Sequence, residues 1–119
     1  MDDDELQTAV EDATLDFTLG ESSLAIEKLT RAVSVRPDSF AAWHALAEVH
    51  FSLRNYDDAL SAAETASSLE PDDLHINTSL SRIWMEKGDK TRAEEFGAKA
   101  RMLGWKDELK ERPPEDSAP

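Results

Sequence analysis

The stretch FAAWHALAEVHFSLRNYDDALSAAETASSLEP fills residues 40–71, and its apolar side chains return every three or four positions. That is helical rather than strand spacing. Trp43, Leu46, Ala47 and His50 fall along one face of a first helix, and Ala59, Leu60, Ala63, Ala66 and Leu69 along one face of a second. Arg54-Asn55-Tyr56-Asp57 lies between them, with Asn55 expected to cap the second helix through its side-chain oxygen. Pro71 ends the second helix, because it has no N–H to donate and its ring crowds the preceding turn. The stretch reads as a helical hairpin.

Moving outward from it, the pattern repeats with a period of 34 residues: Ala25, Ala59 and Ala93; Ala32, Ala66 and Ala100; Val35, Leu69 and Leu103; Ala13, Ala47 and Ser81. Pro37 and Pro71 keep the step, as do Gly20 and Gly88 with Arg54 between them. Three registers follow, 6–39, 40–73 and 74–107, with an acidic end at 1–5 and a segment 108–119 left over. Helices are expected at about 4–18, 22–35, 39–52, 56–69, 73–86 and 90–103. Asp38-Ser39 and Asp72-Asp73 are placed to cap the helices after the two prolines, Ser22 and Asp89 those of the outer hairpins. Beyond 103, Trp105 and Leu109 suggest a short capping helix over the open end of the stack, stopped by Pro113-Pro114, with 113–119 expected to be disordered. The fold expected is all-α, three hairpins stacked in a right-handed superhelix.

Two or three coincident units of this kind resemble the tetratricopeptide repeat family, whose signature sets Trp, Leu, Gly, Tyr, Ala, Phe, Ala and Pro at fixed offsets. The middle unit matches best, with Trp43, Leu46, Ala47, His50, Ala59, Ala63, Ala66 and Pro71 at those places. The first keeps Ala13, Gly20, Ala25, Ala32 and Pro37. The third keeps Leu80, Trp84, Gly88, Ala93 and Ala100, with Asn77 at the first aromatic and Trp105 at the proline. Small residues let paired helices approach, while large ones fill the space between hairpins. Trp43 and Trp84 are therefore read as packing residues. Trp105 either caps the stack or stands exposed.

Composition narrows the function classes. There is no cysteine in the 119 residues, which removes disulfides, thiolate zinc sites and cysteine nucleophiles. The formal charge of −13 repels nucleic acid and anionic lipid alike, so neither is an expected partner. Met1-Asp2-Asp3-Asp4-Glu5 is the opposite of the basic start of an export signal, and the expected location is the cytoplasm. The charge is uneven: residues 1–39 carry −7, 40–73 carry −6, 74–107 carry +2 and 108–119 carry −2. No nucleophile elbow, phosphate loop or His-Glu-x-x-His appears, and four glycines leave little room for a cofactor loop. Catalysis, a cofactor and a small-molecule substrate are not expected. His44 and Glu48 stand four apart on one helix, with His75 at the start of the next unit's first helix. A zinc site needs further ligands, so these residues read as polar lining.

What the resemblance implies is binding of another protein. In this family the first helix of each hairpin lines a groove for an extended or helical peptide. Its offsets fall here on Val10, Thr14 and Phe17, on Ala41, His44, Glu48 and Phe51, and on His75, Thr78, Arg82 and Met85. Members that clamp the terminal carboxylate of heat-shock proteins use cations and amides at offsets that here hold Val10, Thr14, Ala45, His75 and Ser79, so that specialisation is not expected. The basic third unit, with Lys87, Lys90, Arg92, Lys99, Arg101 and Lys106 on or near its second helix, reads either as an ordinary solvated helix face interspersed with Glu94 and Glu95 or as a second contact face. An acidic protein surface would suit it. In size, repeat number and charge distribution the chain is similar to the small kinesin-light-chain-like repeat proteins that accompany bacterial tubulins, which implies a tubulin-like filament as a partner. The expected function is a non-catalytic adaptor or assembly factor, the alternative a chaperone for an exported protein.

Overall fold

The computed structural model describes residues 1–111. It contains α1 (Asp3–Thr18), α2 (Ser22–Val35), α3 (Phe40–Ser52), α4 (Tyr56–Leu69), α5 (Leu74–Glu86) and α6 (Lys90–Glu111). Each helix packs against its successor, so the chain forms three antiparallel hairpins joined in series. The described residues hold no strand.

Three identical turns make the hairpins. Gly20, Arg54 and Gly88 all adopt positive φ, at 85°, 63° and 86°. At each turn two backbone bonds close the end of the first helix. Gly20 N–H donates to the Phe17 carbonyl and Glu21 N–H to that of Asp16, and Arg54/Asn55 and Gly88/Asp89 repeat the pair. This left-handed ending satisfies carbonyls that have no partner within the helix. Glycine adopts it without strain, and Arg54 is the one side chain held there against its preference.

The links between hairpins work through caps. Asp2, Ser39 and Asp73 sit on extended backbone, and their side chains accept from the N–H groups of Glu5, Ala42 and Ile76 at 2.8, 3.1 and 2.8 Å. The expected caps on the second helices are corrected in two of three cases. Asn55 (ψ 71°) makes no side-chain cap bond, and in the first hairpin Glu21 (ψ 58°) takes the cap position while Ser22 already belongs to the helix. Both depart from the extended backbone that the capping residues Asp2, Ser39 and Asp73 adopt. Asp89 does cap, accepting from Arg92 N–H at 2.9 Å.

The core runs the length of the stack: Ala13, Ala25, Leu29 and Ala32, then Ala42, Leu46, Ala59, Ala63 and Ala66, then Ile76, Leu80 and Ile83. Alanines dominate because close helix approach leaves room for a methyl group and little more. Trp43 and Trp84 are half-buried. Trp43 Nε1 donates to the Pro37 carbonyl at 2.9 Å. One period later Asn77, 1% exposed, donates through Nδ2 to the Pro71 carbonyl at 3.0 Å and to that of Asp73 at 2.7 Å. An amide thus replaces the indole in the same fastening.

The C-terminal end departs from expectation. Among the described residues there is no separate capping helix: α6 runs unbroken for 22 residues to Glu111. Pro37 and Pro71 stop α2 and α4, but Trp105 holds the corresponding place in the third unit, and its N–H lets the helix continue. Every residue from Trp105 to Glu111 is exposed, Trp105 itself by 60%, so it does not close the stack. The expected disordered tail, 113–119, lies outside the described residues.

Candidate functional site

The two layers of the stack are not equivalent. α1 touches α3 and α3 touches α5, whereas among the described residues α2 and α4 do not meet, nor do α4 and α6. Crowding on the α1/α3/α5 side and separation on the other curve the stack toward its first helices. The concave side therefore belongs to α1, α3 and α5, and all eleven groove residues expected from the sequence lie on those helices.

They fall into three environments. Between α1 and α3 lies a shallow cavity of about 440 Å³, lined by Asp3, Leu6, Gln7, Val10, Glu11, Ser39 and Ala41. Gln7 Nε2 donates to Glu11 Oε1 at 2.9 Å across one helical turn, and Arg36 Nη1 meets Asp3 Oδ1 at 2.9 Å. Thr14 and Thr78 are exposed, and their hydroxyls donate back to the carbonyls of Val10 and Leu74. Phe17 packs against the core, while His75 and Met85 are exposed.

The third environment spans α3 and α5 and centres on Glu48. Ser79 Oγ donates to Glu48 Oε1 at 2.5 Å, and His44 Nε2 stands 3.3 Å from that oxygen and 3.3 Å from Ser79 Oγ. Arg82 Nη1 reaches the other oxygen at 3.7 Å. The Arg82 guanidinium also lies 4.4 Å over the Phe51 ring, Phe51 leans on Tyr56 at 5.5 Å, and Phe40 on His44 at 5.5 Å. Hydrogen bonding from His44 foremost, then from Ser79, together with the nearby cations, holds the Glu48 carboxyl below the ordinary range, while burial opposes. Of the expected groove residues, the structure brings His44, Glu48, Phe51 and Arg82 together. Ser79 joins them, a hydroxyl at the groove offset where the second unit has Ala45.

The basic face is largely self-neutralised. Lys87 pairs with Asp57, Lys99 with Asp72 at 3.3 Å while donating to the Pro71 carbonyl at 2.8 Å, and Arg101 with Glu94 at 2.7 Å. Arg92 pairs with Asp89 at 3.0 Å and covers the Trp84 ring at 4.8 Å. Of the six cations expected to form this face, Lys90 and Lys106 have no carboxylate partner among the described residues. No described helix is long and apolar enough to cross a membrane, and no described group of three or more acidic or histidine side chains is placed to hold a metal ion.

These repeats, their shared turns and their curved two-layer stack define a helical-repeat protein. The tetratricopeptide repeat model matches residues 11–64 and 44–108, and the chain belongs to that family. Among solved structures, a crystal structure of MamA superposes with a TM-score of 0.80 at 24% identity, covering 86% of this chain and 60% of that one. MamA 41-end from Desulfovibrio magneticus RS-1 gives 0.78 at 18% identity, over 85% of this chain and 57% of that one. The Yersinia enterocolitica type III secretion translocator chaperone SycD gives 0.80 at 16% identity, over 86% and 77%. The chain thus spans about three-fifths of the MamA chains it resembles. No curated protein matches the sequence.

Proposed function

We propose that this chain is a non-catalytic adaptor or assembly factor that holds a segment of a partner protein in the groove of α1, α3 and α5. The observation that carries this reading is the groove itself. The α1–α3 cavity, with Val10 and Ala41 in its lining, and Phe51 farther along the same layer set small apolar recesses among polar groups, which suits a peptide with spaced apolar side chains. An acidic partner such as a tubulin-like filament would meet the third hairpin instead, where ion pairing leaves Lys90 and Lys106 as the cations to attract it. The groove is the better supported surface. A photo-crosslinking residue at Thr78, exposed on α5, is expected to capture a partner in cells. The same residue at Glu64, exposed on α4, is expected to capture none. Capture from Glu64 alone would overturn the groove assignment.

A chaperone for an exported protein is the second reading, favoured by the fold shared with SycD. Its mark would be a partner retained only while unfolded, so capture from Thr78 should then vanish once the partner folds.

A further inference from the structure

Arg82 occupies an unusual place for a groove residue. Its side chain is 53% exposed, its contact with Glu48 is long at 3.7 Å, and its guanidinium carbon stands over Phe51, 4.4 Å from the ring centroid. The carboxylate beneath it is positioned independently of Arg82, because Ser79 and His44 fix the opposite oxygen from two helices. An aromatic face beside an anchored carboxylate is what a guanidinium from any source requires. Glu48 and Phe51 stand together on the groove helix α3, so the charge and the ring face the same incoming side chain.

We propose that the α3–α5 part of the groove is a binding site for one basic side chain of the partner peptide, arginine before lysine, and that Arg82 is its intramolecular placeholder. This rests on the groove reading above and adds the chemistry of the ligand. On binding, the incoming guanidinium takes the Phe51 face and the free oxygen of Glu48, and Arg82 swings into solvent. Arginine is preferred because its flat group stacks and forks where an ammonium only points. The release of Arg82 costs little, since an exposed ion pair and an exposed ring contact are each weak.

The experiment is selection of a random dodecapeptide library on the full chain, on Glu48→Gln, on Arg82→Ala and on Thr78→Trp, which crowds the groove from an exposed position. Each variant is first shown to melt like the parent by circular dichroism. Peptides selected on the parent and blocked by Thr78→Trp should carry an arginine or lysine at one fixed place beside apolar residues. Such a peptide should bind Glu48→Gln about tenfold more weakly, as expected for loss of a charged hydrogen bond. It should bind Arg82→Ala about three- to tenfold more tightly. Groove-dependent peptides without a fixed basic residue would overturn the site while leaving the groove reading intact. Tighter binding absent in Arg82→Ala would overturn the placeholder role, and no peptide sensitive to Thr78→Trp would overturn site and groove together.

Discussion

The second and third hairpins share a set of offsets and fill them differently. Where the second uses the Trp43 indole to hold the Pro37 carbonyl, the third uses the Asn77 amide on Pro71. Where the second turns on Arg54, the third turns on Gly88. Ala63 in the second becomes Gly97 in the third, where a Cβ would come within 3.1 Å of Ser81 Oγ. The repeat therefore prescribes a hydrogen bond, a backbone shape and a separation between helices. Which residue meets each requirement is left open.

The largest effect that would test this comparison comes from the core. Leu46 and Leu80 occupy one offset and are 6% and 1% exposed, and shortening either to alanine should cost about 3 kcal/mol. The outcomes should nonetheless differ in kind. Leu46→Ala weakens a hairpin with neighbours on both sides and should lower the whole urea transition. Leu80→Ala weakens a terminal hairpin and should release α5 and α6 first, seen as hydrogen exchange in those helices ahead of α1 to α4. A single shared transition in both variants would mean the stack behaves as one cooperative block.

The two fastenings come next. Asn77→Ala removes two buried hydrogen bonds and should cost about 2 kcal/mol, whereas Trp43→Phe keeps an aromatic ring, smaller than the indole, and loses one bond for about 1 kcal/mol. Denaturation of the two variants side by side reads the difference directly. Third, Arg54→Gly should stabilise the chain by about 1 kcal/mol by relieving a left-handed side chain, and Gly88→Arg should destabilise it by about the same amount. No gain in Arg54→Gly would show that Arg54 makes up its strain elsewhere.

The smallest effect is electrostatic. A carboxylate depressed in the folded state contributes stability that is complete above its ordinary value and fades as pH falls through the depressed one. From the ordinary glutamate value of 4.5 downward, the parent should thus lose more stability than Glu48→Gln, by less than about 1 kcal/mol because the group is partly solvated. Parallel melts across that acid range check the sign.

Most of the fold was legible because the 34-residue period and the three-to-four spacing both report packing, and packing determines this architecture. The helix limits expected for α2 and α4 agree with those observed, and the others of the first five differ by one residue at the start. What escaped was set within a few residues. Asn55 has a capping side chain, but at ψ 71° its backbone lies outside the extended shape that Asp2, Ser39 and Asp73 adopt. The sixth helix outran its expected end because the proline that stops α2 and α4 is a tryptophan at 105. For the site, the expected groove residues lie on α1, α3 and α5, since register alone decides which helix carries them. The sequence left hidden the pairing of Lys87 with Asp57 and of Lys99 with Asp72, and the joining of Glu48 to Ser79, because these depend on distances between neighbouring repeats.

The unequal layers also have a mechanical consequence. Each joint between hairpins rests on α2 against α3 or on α4 against α5, with α1, α3 and α5 also touching in turn. A small rotation at either joint would change the groove's width while each hairpin stays intact, so a partner seated there would act as a strut whose length sets the curvature of the stack.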